Sequence, residues 1–102
     1  MILVYRGNIL VVRNHLFWDI NKKNIRPQKN KRLIIERVIS RGDLDEFAML
    51  NNFYSRETIK KTIVNFSSFD KKTLKFISDF YNIEKKLFKC TKKLLNNQHW
   101  NS

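Results

Sequence analysis

The sequence predicts a mainly α-helical fold, a small domain of four to five helices preceded by a short β-prone arm. Three observations support this. Apolar residues recur at helical spacing through most of the 102 residues. Residues that cap helices stand at the borders of these segments. Two Gly and one Pro leave few positions for the many tight turns of an all-β protein. The 42% hydrophobic content fits one modest core.

The first segment, residues 1–14, predicts a β-prone arm that forms a hairpin. The runs Ile2–Tyr5 and Ile9–Val12 flank the turn-prone Arg6-Gly7-Asn8. An isolated hairpin is marginal in water, so this one must pack on the helices or pair with another chain. Two interpretations follow: an arm that covers the core, or an edge for strand addition by a partner or by a second copy, which would make a dimer through the arm.

Residues 15–90 are predicted to form the helical domain, and residues 91–102 a basic C-terminal tail. The predicted helices run over Gln28–Arg41, over Leu44–Tyr54, from a cap at Ser55, from a cap at Asp70, and over Ile83–Cys90. The side chains expected in the core are Ile34, Ile35, Val38, Ile39, Leu44, Phe47, Ala48, Met49, Leu50, Phe53, Ile59, Ile63, Phe66, Leu74, Ile77, Phe80 and Tyr81.

The joint between the first two helices is the most strongly specified stretch. Gly42 is expected to close the first helix in the left-handed conformation. Asp43 is expected to cap the second helix, and Glu46, three residues later, to complete a capping box. Such a joint would fix the angle between two packed helices.

Large aromatic side chains are the candidates for partner binding. Phe17 and Trp18 follow Leu16 in one apolar run, and Trp100 lies in the basic tail. A small domain needs anchors of this size, so a core role for the run of three is the favoured alternative.

The net charge of +12 is spread along the chain instead of being confined to a tail. Such a positive field attracts polyanions and acidic proteins. The same lysine-rich composition is also typical of a well-solvated surface, so a nucleic-acid or acidic partner and a purely solvated charge both remain open.

The helices after Ser55 and Asp70 indicate a helix-turn-helix-like arrangement as one alternative. The candidate nucleic-acid-binding residues lie on their polar sides: Lys60, Lys61, Lys71, Lys72, Thr73 and Lys75. The connection is longer than the usual turn and carries no glycine, which favours a solvated lysine face on structural helices instead.

No residue pattern predicts catalysis, a metal site or a cofactor. Asp43 and Asp45 resemble paired metal-binding carboxylates, but a phosphate-binding glycine-serine turn is missing and helix capping explains both. His15, His99 and Cys90 lack the spacing of metal ligands. We therefore expect a non-enzymatic protein without a cofactor.

The expected compartment is the cytoplasm. The single cysteine, Cys90, excludes an internal disulfide framework and fits a reducing environment. No apolar run approaches the roughly 20 residues of a membrane span. The apolar start is broken by Arg6-Gly7-Asn8 and lacks a basic lead, so no signal peptide is expected.

Five blocks carry a resemblance to a known family: Leu16–Asp19, Lys31–Val38, Arg41–Leu44, Lys72–Phe76 and Phe88–Cys90. Over about Leu16 to Trp100 the chain resembles a family of small bacterial proteins of unknown function, common in Bacteroidetes. Its members often stand beside nucleotidyltransferase-type toxins of abortive-infection systems. The resemblance therefore implies an antitoxin-like protein that binds such a toxin and, as a further expectation, operator DNA. The alternative function is a stand-alone basic nucleic-acid-binding module.

Overall fold

A hairpin and four α-helices make up the computed structural model, which describes residues 1–66 and 69–89. Their bounds are β1 Ile2–Tyr5, β2 Asn8–Val11, α1 Lys31–Arg41, α2 Leu44–Tyr54, α3 Arg56–Ile63 and α4 Lys71–Tyr81. Single 3₁₀ turns cover Asn14–Phe17, Lys22–Asn24 and Lys85–Leu87. The prediction of a mainly helical fold with an N-terminal β arm is confirmed. The chain divides into two compact units, residues 1–59 and residues from 60 onward.

The arm is an antiparallel hairpin, as predicted. Its register pairs Ile2 with Val11 and Tyr5 with Asn8, which leaves a two-residue turn. Both turn residues have positive φ, 51° at Arg6 and 80° at Gly7. This is the turn geometry that matches the twist of the two strands, and glycine supplies half of it without strain.

The inner face of the hairpin packs on α2, so the core-covering interpretation is correct for this face. Leu3 and Leu10 are opposed across the strands and both are buried. The Tyr5 ring lies 6.0 Å from the ring of Phe53, near the C-terminal end of α2. The ammonium group of Met1 donates to the main-chain oxygen of Val12 at 2.9 Å, which closes the open end of the hairpin.

Helix α1 begins three residues later than predicted. The main-chain N–H of Arg26 donates to Oδ1 of Asn30 at 2.7 Å, and the N–H of Asn30 donates back to the Arg26 oxygen at 2.8 Å. These bonds fold the segment from Arg26 to Asn30 into a turn, so its main-chain groups are not free to extend the helix. The short polar side chain of Asn30 therefore competes successfully with the helix.

The prediction of a left-handed Gly42 is wrong. Gly42 is extended, with φ −77° and ψ 165°, and its N–H donates to the Val38 oxygen at 2.8 Å. Glycine is needed here for a different reason: a Cβ atom would lie 2.5 Å from that same oxygen. The rest of the joint is confirmed, because Asp43 accepts from the N–H of Glu46 at 2.8 Å and Glu46 accepts from the N–H of Asp43 at 2.9 Å.

The core of residues 1–59 contains most of the side chains predicted for it. Its fully buried members are Leu10, Leu16, Phe17, Ile34, Ile35, Val38, Leu50 and Ile59. Four predictions on the first two helices are wrong: Ile39 and Met49 are only half-buried, and Leu44 and Ala48 are exposed. Leu44 is the first residue of α2, next to the capping residue Asp43, and its side chain points to solvent. The apolar side chains of α2 are therefore not all buried in the core.

Residues from 60 onward form a core of their own. Ile63, Ile77, Tyr81 and Phe88 are fully buried there. The ring of Phe69 lies 5.3 Å from that of Phe66 and 6.4 Å from that of Phe88, measured between centroids. In place of the helix predicted over Ile83–Cys90, the described part of this segment has the 3₁₀ turn Lys85–Leu87, and Cys90 lies outside the described residues.

Helix α4 has the predicted N-terminal cap and an unpredicted C-terminal one. Asp70 accepts from the N–H of Thr73 at 3.4 Å. Asn82, with φ 54°, ends the helix in the left-handed conformation expected of Gly42. The prediction that Phe80 is buried is wrong: it is exposed and stacks on Phe76 one turn earlier, with ring centroids 5.9 Å apart.

We predict that Gly42→Ala lowers the free energy of unfolding by about 1–3 kcal/mol, because the added Cβ must displace the Val38 carbonyl. Gly42→Asn should cost at least as much, although asparagine is well tolerated at a left-handed helix end. Urea unfolding followed by circular dichroism measures both. The control is Gly7→Asn, at φ 80° with open space around it, which should cost about 1 kcal/mol or less. A Gly42→Asn variant as stable as the natural chain would contradict the extended geometry.

Candidate binding sites

Glu46 is a buried carboxylate that ties three segments together. Only 4% of it is exposed. Its Oε2 accepts from the main-chain N–H of Arg13 at 2.7 Å, and its Oε1 lies 3.0 Å from Nη2 of the same arginine. Nη2 of Arg13 also donates to the main-chain oxygen of Arg41 at 3.2 Å. The end of the hairpin, the end of α1 and the start of α2 therefore meet at one charge.

The protonation of Glu46 follows from these contacts. Burial by itself would raise the pKa of its carboxyl group. The hydrogen bonds from the main-chain N–H groups of Arg13 and Asp43, together with the Arg13 guanidinium, outweigh burial and lower that pKa below its ordinary value. Glu46 is thus an ionised structural residue whose carboxylate oxygens accept hydrogen bonds from Arg13 and Asp43.

A second ion pair fixes the segment that carries Trp18. Nη1 and Nη2 of Arg37 donate to the two carboxylate oxygens of Asp19 at 2.7 and 2.8 Å. Nη1 also donates to the main-chain oxygen of Leu16 at 3.0 Å. The Arg37 hydrogen bonds lower the pKa of Asp19 to about 2, so the two-point contact persists in mild acid. The backbone around Trp18 is held on α1 at both ends.

The three aromatic candidates for partner binding fall into different places. Phe17 is fully buried, so it serves the core and is closed to a partner in this unit. Trp18 is 73% exposed on its fixed backbone, which leaves an indole ready for contact. Trp100 lies outside the described residues. The core interpretation is therefore correct for Leu16 and Phe17 and wrong for Trp18.

The outer face of the hairpin is apolar, and sequence reasoning missed it. Ile2, Val4, Ile9 and Val11 form this face, and each is between 44 and 67% exposed. Ile2 faces Val11 and Val4 faces Ile9 across the strands. The signal was present in the sequence, because both runs are apolar without alternation, a pattern that is typical of strands covered on both sides.

The lysine candidates lie along α3 and α4. Lys61, Lys71, Lys72 and Lys75 are exposed, whereas Lys60 and Thr73 are half-buried. Nζ of Lys75 lies 3.5 Å from a carboxylate oxygen of Asp79, one turn further along α4. Seven residues separate α3 from α4. The three α4 lysines thus gather on the first turns of one helix, and the long connection differs from the short turn of a helix-turn-helix motif.

A polar cavity of about 370 Å³ opens within residues 1–59, beyond the turn of the hairpin. The side chains around it come from the hairpin, the start of α1, the end of α2 and the start of α3: Tyr5, Arg6, Asn8, Lys31, Asn52, Phe53, Tyr54, Ser55 and Thr58. Its volume is that of a site for one small ligand. The sequence gives no signal for this cavity, because its wall is built from four segments that are separate in the chain.

Neither a membrane-spanning helix nor a cluster of metal ligands occurs among the described residues. Among the helices of the described residues, each is too short or too polar to cross a membrane. Within residues 1–66 and 69–89, no three His, Cys, Asp or Glu side chains come together as metal ligands do.

Comparison with known proteins places the chain in a family. The model of a family of unknown function (DUF6922) matches residues 12–63, half of the chain. The protein belongs to this family. Three of the five resemblance blocks lie inside the match, whereas Lys72–Phe76 and Phe88–Cys90 lie outside it. No curated protein and no solved structure matches the chain.

We predict that Glu46→Gln lowers the free energy of unfolding by about 2–3 kcal/mol at neutral pH, because it removes the charge that accepts hydrogen bonds from Arg13 and Asp43. The folded pKa of Glu46 lies below its ordinary value of 4.5, so this stabilisation is present above about pH 4.5 and is lost as the pH falls through the folded value. Urea titrations at several pH values measure it.

The matched control is Glu57→Gln, at an exposed position in the first turn of α3, with an expected cost of about 0.5 kcal/mol. The difference between natural chain and Glu46→Gln should shrink in acid. A difference that stays constant from pH 7 to pH 3 would show that the carboxylate charge is not what stabilises the joint.

Proposed function

We propose that this chain is a non-enzymatic, antitoxin-like protein of the cytoplasm that acts by binding another protein. The observation that carries the proposal is the outer face of the hairpin, formed by Ile2, Val4, Ile9 and Val11. The resemblance to a family whose members often stand beside nucleotidyltransferase-type toxins supplies the class of partner. Neither the charge nor the fold requires a reaction to be catalysed.

The outer face favours a covering partner on energetic grounds. A two-stranded sheet with one face on the core normally turns polar side chains to water on the other. Here all four outward side chains are branched aliphatics, each about half exposed. Covering them would contribute about 1 kcal/mol per side chain, at the usual value for buried apolar area. Exposed Trp18 adds a large aromatic contact of the type that dominates protein interfaces.

The charge of the chain indicates an acidic partner. Seven of the nine carboxylates are already engaged in ion pairs or helix caps within the chain: Asp19, Glu36, Asp43, Glu46, Asp70, Asp79 and Glu84. The net charge is +12. The surface thus offers an excess of cations, and a partner with an apolar patch inside an acidic rim would complement it.

A second copy of the chain fits this surface less well than an acidic protein does. Two molecules of charge +12 repel each other. The four outer-face residues are uncharged, so they cannot form ion pairs with a second copy. We therefore assign the face to a different protein and treat self-association as an outcome of the test.

We predict that the chain forms a complex with a nucleotidyltransferase-type toxin when the two are co-expressed, and that it restores growth. The double variant Val4→Thr, Ile9→Thr keeps the β-branched shape of both side chains and should weaken the complex at least tenfold. Affinity capture, calorimetry and growth curves measure this. Leu44→Gln is the matched control, since Leu44 is 73% exposed in the same unit but lies on α2.

Unchanged thermal melting would show that the double variant still folds. Absence of a complex and of growth rescue would remove the antitoxin-like function. A stable dimer of the chain alone, seen by light scattering and abolished by the double variant, would assign the outer face to a second copy.

The second candidate function is a stand-alone nucleic-acid-binding module, favoured by the lysines of α4. Lys71, Lys72 and Lys75 are exposed at the start of this helix. The half-buried Thr73 gives its N–H to the Asp70 cap, so main-chain donors in this turn are partly used. Lysines in such a position bind phosphates more readily than they discriminate bases, so the expected binding is weakly sequence-dependent.

We predict that, under this second function, reversing Lys71, Lys72 and Lys75 to Glu abolishes duplex binding. Each lost phosphate contact should reduce the slope of log affinity against log salt by about 0.9. Fluorescence anisotropy at several salt concentrations measures both. The matched control reverses Lys85, Lys86 and Lys89, which are also exposed and change the net charge equally. Equal losses in the two triple variants would show a general charge effect and exclude α4 as the nucleic-acid surface.

A further inference from the structure

We propose that the cavity beyond the hairpin turn binds a nucleotide, with its phosphate near Arg6 and Lys31 and its base against the aromatic side of the wall. This site is separate from the outer face and from the lysines of α4. Nucleotide binding at this cavity can therefore be tested independently of the proposed protein-binding function.

The charge of the cavity wall is positive. Arg6 and Lys31 line it, and none of the nine lining residues is a carboxylate. The guanidinium carbon of Arg6 lies 5.1 Å from the centroid of the Tyr5 ring, a cation–π contact that holds the charge at the rim. Because these two cations share a wall that contains no carboxylate, the cavity favours an anion.

The start of α1 reinforces this preference. Lys31 is the first residue of α1, a helix with no acidic residue in its first turn and no side-chain cap from Asn30. The positive end of this helix dipole therefore lies beside the Lys31 cation, an arrangement that suits a phosphate group. The start of α3 contributes polar groups only, because Glu57 lies in its first turn and the N–H of Thr58 donates to the Ser55 hydroxyl at 3.4 Å.

The remaining wall suits an aromatic ring with polar edges. Tyr5, Phe53 and Tyr54 form a cluster in which the Tyr5 ring centroid is 6.0 Å from each of the other two. Phe53 and Tyr54 are buried and Tyr5 is half-buried, so Tyr5 and the Arg6 guanidinium that lies over its ring present the accessible flat surface. Exposed carboxamides of Asn8 and Asn52 offer donors and acceptors to base edges. Cations for a phosphate, a surface for stacking and amides for base edges together match a nucleotide better than they match a simple oxyanion.

Backbone strain is concentrated at the same place. Three non-glycine residues among those described have positive φ, and two of them, Arg6 at 51° and Ser55 at 71°, line the cavity. Long side chains rarely adopt this conformation, which costs free energy that the surrounding structure must supply. The fold therefore maintains two strained residues beside the cavity, Arg6 in the hairpin turn and Ser55 between α2 and α3.

The volume limits the ligand to about one nucleotide. A cavity of about 370 Å³ is at the small end of ligand sites and excludes a duplex. Two sources share this chemistry: a free mononucleotide, and the 5′-terminal nucleotide of a single strand, whose other residues would remain outside.

The test is a titration of the full-length chain followed by NMR chemical shifts and calorimetry. The probes are adenosine and uridine 5′-monophosphate, adenosine, inorganic phosphate and a 5′-phosphorylated trinucleotide. We expect a monophosphate to bind at least tenfold more tightly than adenosine or phosphate alone. Lys31→Gln should weaken binding at least fivefold, and Tyr5→Leu should do so for the nucleotides only. Lys29→Gln is the matched control, since Lys29 is exposed but does not line the cavity.

Each outcome decides the proposal. Absence of nucleotide binding at millimolar concentration, equal affinity for phosphate and monophosphates, or equal losses in Lys31→Gln and Lys29→Gln would overturn it. Tighter binding of the trinucleotide than of the monophosphates would support it with a strand end as the source, and equal binding would support it with the free nucleotide. Arg6→Asn, which retains a side chain that tolerates positive φ, provides a second variant if Lys31→Gln does not fold.

Discussion

The buried carboxylate of Glu46 is the constraint on which the unit of residues 1–59 depends. It neutralises Arg13, accepts main-chain donors at the end of the hairpin and at the start of α2, and, through Arg13, reaches the last carbonyl of α1. A buried anion is costly unless every acceptor is used. Because the bonds of Glu46 and of its partner Arg13 join three segments, those segments cannot separate without leaving the buried charge unpaired.

This tie also sets the register of the hairpin, which hydrophobicity cannot do. Both faces of the hairpin are apolar, so a one-residue slip would exchange one set of aliphatic side chains for another at little cost. Arg13 meets the start of α2 and Tyr5 meets its end. The six residues from Asn8 to Arg13, of which the first four form β2, and the 11 residues of α2 both extend over about 16 Å, so the hairpin is fixed along the whole helix.

Local rules predicted much of this fold and little of its candidate sites. The hairpin turn, the Asp43 capping box and the Asp70 cap each depend on a few neighbouring residues, and each is as predicted. Gly42 shows the limit of such rules. The sequence indicated that this glycine matters, but its close approach to the Val38 carbonyl is visible only in the structure. The exposure of Trp18 depends on Arg37, 19 positions away. The cavity is built from four separate segments, so no periodicity or motif could indicate it.

The distribution of carboxylates connects the fold with its proposed uses. An acid in a cap or an internal ion pair stabilises a joint and at the same time cancels one positive charge. The chain has 21 Lys and Arg against nine Asp and Glu, so most cations have no acid to pair with and the outward field is positive. A protein organised like this needs no dedicated basic motif to attract anionic partners. The selectivity must then come from shape: a flat aliphatic face for a protein, or a small aromatic-walled cavity for a nucleotide.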